Sequence, residues 1–132
     1  MTEQERRDLV TYRIRRSRET FEEVSSHVEN KLWNTAVNRL YYACFYGVSA
    51  LLINQEIRAS TLSGVRQMLG LHFVKTGLIS QELGKFYSDI FDMRQSGDYG
   101  DYIDFSEADV LDLLNPSSRL ITRIEELLKN AH

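Results

Sequence analysis

Between Trp33 and Leu52, apolar or aromatic residues fall on nearly every side of a helical wheel. A helix greasy all round must be covered all round, either at the centre of a bundle or against a partner. This one also carries Asn38, Arg39 and the tyrosines at 41, 42 and 46, polar groups that require partners when buried. Spacings of three and four residues place Asn38, Tyr41 and Tyr42 together, and Arg39 on the side of Tyr42 and Tyr46. Whatever the fold, it must enclose this helix and still accommodate that polar edge.

The flanking sequence repeats its apolar positions at helical spacing and shows no convincing strand alternation. A first helix is expected from about residue 3 to 30, with Val10, Ile14, Ser17, Phe21, Val24 and Val28 as its inner stripe. Asn30-Lys31 is a short break, and the greasy helix follows over about 32–54. Ser60 or Thr61 can cap a third helix, whose apolar face is Val65, Met68, Leu69, His72 and Phe73. Gly77 is a plausible C-cap for it. Ser80 caps a fourth helix with a stripe of Leu83, Phe86, Tyr87, Ile90 and Phe91, ending near Ser96-Gly97. An acidic, aromatic loop is predicted over 97–105. Ser106 and Asp109 resemble a capping box opening a fifth helix, in phase from Val110 to Leu128. Pro116 lies inside that pattern, and because the apolar phase continues past it, a kink is expected there and not a break. The predicted architecture is all-α, an up-and-down bundle of four or five helices formed by residues 1–132 as one domain.

Several function classes find no support. The three histidines, His27, His72 and His132, are widely spaced, and Cys44 is the one cysteine, so neither a zinc site nor an internal disulfide is expected. His72, beside Phe73, reads as a hydrogen-bonded core or interface histidine. Cys44 reads as a small inert core residue in a reducing cytosol. No nucleophile elbow, P-loop or dinucleotide-binding turn occurs. The N-terminus lacks the apolar run of a signal peptide, and no stretch holds about 18 uninterrupted apolar residues. A soluble, cytoplasmic protein is expected, without cofactor or membrane partner. The net charge of -3 supplies no bulk basic field for nucleic acid. The local cluster Arg13, Arg15, Arg16 and Arg18 is followed by Glu19, Glu22 and Glu23, and reads as a solvated, ion-paired face.

Two clusters remain as candidates for chemistry. One is Asn38, Arg39, Tyr41, Tyr42 and Tyr46. The other is Arg94 with Asp98, Tyr99, Asp101 and Tyr102 at the end of the fourth helix. Arg94 and Asp98, four residues apart, can pair on one turn. The group reads either as a lock on the helix terminus or as a pocket where arginine and tyrosines hold a phosphate or base.

The run Asn38-Arg39-Leu40-Tyr41-Tyr42-Ala43-Cys44-Phe45, followed by Ala50-Leu51-Leu52, resembles the signature of small prokaryotic HEPN domains. Thr61-x-Ser63-Gly64-Val65, Phe73-Val74-Lys75-Thr76-Gly77 and Arg94-x-x-Gly97-Asp98-Tyr99 resemble further family segments, in the same order, over roughly residues 8–128. The resemblance implies a helical bundle that commonly forms a homodimer. It also implies a frequent pairing with a minimal nucleotidyltransferase as toxin and antitoxin. Many members are metal-independent ribonucleases whose arginine is followed, after four to six residues, by a histidine, the site being completed across the dimer. Arg94 matches that arginine, but the corresponding later positions are Tyr99, Gly100 and Asp101. Leu62 replaces another histidine common in relatives, and Pro116 is a third departure.

The expected function is therefore a non-catalytic homodimer that binds a nucleotide, an RNA or a nucleotidyltransferase. Arg94, Asp98, Tyr99 and Tyr102 would contact the ligand, supported by Arg39 and Tyr42 through hydrogen bonds between the second and fourth helices. In that genetic setting Tyr99 and Tyr102 are candidates for nucleotide modification. The alternative is a divergent ribonuclease toxin, with Arg94 stabilising phosphate charge and Tyr99 or Asp98 handling protons. An unperturbed tyrosine near pKa 10 and a carboxylate beside an arginine are both poor bases at neutral pH.

Overall fold

The computed structural model describes residues 1–99 and 103–130, and the backbone alone for Asp98 and Tyr99. Five helices follow one another: α1 (Glu3–Glu29), α2 (Trp33–Asn54), α3 (Leu62–Leu69), α4 (Gln81–Tyr99) and α5 (Glu107–Lys129). The described residues contain no strand. The all-α bundle is as expected, with α2 at its centre against α1, α4 and α5.

Local chemistry sets most of the boundaries. Thr2 accepts a hydrogen bond from the Glu5 amide at 3.1 Å and Thr61 accepts one from the Gly64 amide at 2.9 Å. Such caps satisfy amides that have no partner inside the helix. Ser80 does the same for Leu83, at 3.2 Å. Ser106 and Asp109 form the full reciprocal box, at 3.1 and 2.8 Å. The break after α1 turns on Lys31, whose φ is 57°, and Gly77 turns the chain before α4 with φ 82°. Pro116 lies within α5, which runs through it unbroken.

Two expectations fail for identifiable reasons. Helix α4 does not stop at Ser96-Gly97 but continues to Tyr99. A Cβ at Gly97 would come within 2.9 Å of the Phe105 ring, so this glycine makes room for a returning aromatic and does not end the helix. His72 is exposed, not packed in the core. After Leu69 the backbone widens into a π-helical turn, Gly70–Val74, which shifts the register. Val65, Leu69 and Phe73 keep facing inward while His72 turns outward.

By length and mean hydropathy α2 could cross a membrane, but here its apolar residues are the core. Ala36, Leu40, Cys44 and Val48 are fully enclosed. Its crossing with α1 is close because the residues there are small. The Ser17 hydroxyl donates to the Ala43 carbonyl at 2.6 Å. A Cβ added at Gly47 would lie 3.1 Å from Ser17 Oγ and 3.2 Å from Ile124 Cδ1. Enclosure is not complete, however. Arg39, Tyr42 and Tyr46 form a half-buried stripe along one edge of α2.

Candidate functional site

Neighbouring residues on a helix point about 100° apart, and Tyr41 and Tyr42 take different roles accordingly. Tyr41 is fully buried and packs on Tyr87 and Phe91 of α4, with ring centroids 5.9 and 6.0 Å away. Tyr42 stands on the half-open edge, its ring edge-on to that of Tyr41 at 5.1 Å. Arg94 projects from α4 across this pair. Its guanidinium carbon lies 5.6 Å from each ring centroid. Arg39, three residues before Tyr42, lies 5.9 Å from the same ring. Two cations from two helices thus converge on one tyrosine.

The expected link between Arg94 and the Arg39–Tyr41–Tyr42 group is present, but its described form is guanidinium on ring, where hydrogen bonds were expected. A cation over an aromatic face is held by the ring quadrupole. A guanidinium's N–H groups lie in its plane, a geometry suited to the oxygens of a carboxylate or phosphate. The side chains of Asp98 and Tyr99, and all of Tyr102, lie outside the described residues. The described segment from Ile103 to Phe105 is held against α2. Asn34, in the first turn of α2, donates to the Ile103 carbonyl at 3.1 Å and accepts from the Phe105 amide at 2.8 Å. The chain that follows α4 is therefore tied back to the start of α2.

Electrostatics do not favour proton transfer by Tyr41, Tyr87 or Cys44. Burial pushes the Tyr41 hydroxyl above its ordinary value, an effect that Arg94 partly offsets. Burial pushes Tyr87 up more strongly. The Cys44 thiol is pushed up to about 12 by burial, so no thiolate forms near neutral pH. Among the described residues no three His, Cys, Asp or Glu side chains gather as metal ligands. The arrangement can hold a negatively charged group against a guanidinium and present an aromatic ring beside it.

The edge continues beyond the residues that the sequence singled out as ligand contacts. Tyr46 follows Tyr42 one turn on, with centroids 6.2 Å apart. Arg13 and Arg16 of α1 lie 5.8 and 5.7 Å from the Tyr46 ring. The solvated-face reading holds for their neighbours, since Arg15 pairs with Glu19 and Arg18 with Glu125. Arg13 and Arg16 depart from that reading because the crossing of α1 on α2 brings them against Tyr46. A cavity of about 860 Å³ lies elsewhere, between the start of α1, the end of α2 and α3. Its lining residue Arg6 is already paired with Glu3 and Glu56, and Thr61 serves there as a helix cap. The Arg94 edge is the better candidate because cations from two helices converge there on one half-open ring.

Comparison with known proteins identifies the family. Residues 10–127 match the HEPN domain. A UPF0332 protein of Thermotoga maritima is 39% identical over 126 residues, covering 96% of both chains. A protein of Methanocaldococcus jannaschii named "Putative toxin" is 28% identical over 115 residues, which are 87% of this chain and 78% of that one. A UPF0332 protein of Pyrococcus horikoshii is 39% identical over 70 residues, about half of each chain. With the family matched across nearly all of the bundle, the chain belongs to the HEPN domain family.

Proposed function

We propose that this protein is a non-catalytic HEPN homodimer that binds a nucleotide or RNA as part of a toxin–antitoxin-like pair with a minimal nucleotidyltransferase. The observation that carries the reading is Arg94 lying across Tyr41 and Tyr42, with Arg39 on the same ring. Guanidinium groups bind phosphate with charge-assisted hydrogen bonds, and tyrosine supplies a stacking surface for an unpaired base. Asp98, Tyr99 and Tyr102 complete the proposed set of ligand contacts. The positions where a family ribonuclease would carry its histidine are Tyr99, Gly100 and Asp101, and this is why binding is favoured over cleavage.

Fluorescence anisotropy with labelled single-stranded RNA, and calorimetry with a mononucleotide, test the reading. Arg94→Ala should weaken binding of both by about tenfold or more, the loss of one charge-assisted contact of 1.5–3 kcal/mol. Binding indifferent to that substitution would refute it. Sedimentation should show a dimer at micromolar concentration, and a strictly monomeric chain would remove the homodimer from the proposal.

A second reading rests on the toxin name carried by the Methanocaldococcus relative. In it the protein is a divergent ribonuclease, with Arg94 stabilising phosphate charge and Tyr99 or Asp98 moving protons. It requires RNA cleavage by the purified chain that disappears in Arg94→Ala. Cleavage that survives the substitution would assign the activity to a contaminant.

A further inference from the structure

We propose that Arg13, Arg16 and Tyr46 form a second subsite, which holds the phosphodiester backbone of a single-stranded nucleic acid leading away from Arg94. The inference rests on the reading of Arg94 as a phosphate contact and extends it along α2 and onto α1. From α1 to α4 the groups form one continuous row. Arg13 and Arg16 lie 5.8 and 5.7 Å from Tyr46, Tyr46 lies 6.2 Å from Tyr42, and Arg39 and Arg94 lie 5.9 and 5.6 Å from Tyr42.

The row differs from the remaining basic surface in what holds its charges. Arg15 and Arg18, on the same helix as Arg13 and Arg16, spend donors on Glu19 and Glu125. Arg66 lies over Phe91 but also pairs with Asp92. Among the described residues Arg13, Arg16 and Arg39 make no ion pair, and tyrosine rings fix their positions instead. A ring contact uses the guanidinium's charge and leaves its N–H donors available. Arg13 Nε is buried without a hydrogen-bond partner among the described residues. That nitrogen is enclosed, so a ligand would meet this guanidinium at its other nitrogens. A polyanion with regularly spaced charges matches these arginines.

The test uses the full chain, a labelled oligouridylate, UMP, and a deoxy-oligonucleotide of equal length, with polyglutamate as competitor. The double substitution Arg13→Gln/Arg16→Gln should weaken oligouridylate binding by about tenfold and weaken UMP binding far less. The slope of log K against log salt should fall by about 0.7 for each phosphate that the variant no longer neutralises. Arg13→Lys/Arg16→Lys should restore the slope, which a merely structural role for these side chains would not predict. Equal circular dichroism and melting temperature show that each variant is folded. Comparison of the ribo- and deoxy-oligonucleotides decides which strand the row accepts.

If Arg94→Ala abolishes binding of both ligands while the Arg13/Arg16 substitutions change neither affinity nor slope, the second subsite is wrong and the Arg94 reading stands. If the native chain binds neither oligonucleotide nor UMP, both are wrong. If polyglutamate displaces the strand at equal charge concentration, the row is an acidic-peptide site and the assignment to nucleic acid is overturned.

Discussion

Helix α2 has two sides that solve opposite problems. Along the seam with α1 and α5, Ser17, Ala43 and Gly47 are small, the backbones approach closely, and the Ser17 hydroxyl satisfies a backbone carbonyl at 2.6 Å. Along the half-open edge, Arg39, Tyr42 and Tyr46 are large, half-buried and joined through ring contacts to arginines of α1 and α4. The seam is stable because nothing in it has room to move. The edge leaves charge and donors at the surface, where packing alone does not use them. One helix therefore carries both the element that defines the bundle and the element most suited to a ligand.

If the division is real, changes on the enclosed sides of α2 should act on stability first. Leu40 is fully buried, and Leu40→Ala should cost about 2–5 kcal/mol through reduced burial and a residual cavity. Urea denaturation would read this as a lower midpoint at unchanged slope. A loss below about 1 kcal/mol would mean that α2 is not the tightly packed centre. Gly47→Val should come next, at about 1–3 kcal/mol, because its side chain would meet Ser17 and Ile124 at distances that already crowd a single Cβ. Stability unchanged in that variant would show that the seam yields easily, and the contrast with the edge would weaken.

The sequence exposed the two sides unequally. Helical period and capping residues were enough to place all five helices, since Thr61, Gly77, Ser80 and the Ser106–Asp109 box act within a few residues of themselves. The α4 terminus was misplaced because Gly97 looks like a stop signal, whereas its role is set by Phe105 packing against it from a later segment. His72 was misplaced because a π-helical turn changes the period on which an apolar stripe is counted. At the site, the i, i+3, i+7 spacing on α2 revealed Arg39, Tyr42 and Tyr46, and the i, i+4 spacing of Arg94 and Asp98 marked Arg94, which the family motif also matches. Arg13 and Arg16 required the angle at which α1 crosses α2, which no local pattern encodes.

The side of α2 facing α4 should also have a pH signature. Burial raises the hydroxyls of Tyr41 and Tyr87 above their ordinary value. Below about pH 10 both are neutral in the folded and unfolded chains, and the stabilisation that goes with the raised values is fully present. As pH rises from there towards the folded-state values, the unfolded chain releases protons that the native chain retains, so stability falls. The urea midpoint should therefore drop on the alkaline side, and Tyr87→Phe should flatten the drop. A midpoint with the same alkaline slope in Tyr87→Phe would show that this phenol does not couple to folding.

The smallest stability effect is expected on the open edge, and it separates the two sides most sharply. Arg39 is half-buried, makes no ion pair among the described residues and lies over Tyr42 at 5.9 Å. A cation–ring contact of this exposure contributes about 0.5–1 kcal/mol. Glutamine has nearly the same helix propensity as arginine. Arg39→Gln should therefore melt within a few degrees of the native chain while binding labelled RNA several-fold more weakly. A large fall in melting temperature would make Arg39 a structural strut of α2 and place the edge among the packed surfaces. Unchanged stability with unchanged binding would confine the ligand contacts to Arg94 and the residues that follow it. Only the combination of near-native stability and weakened binding fits an edge that is built to meet a partner and contributes little to holding the bundle together.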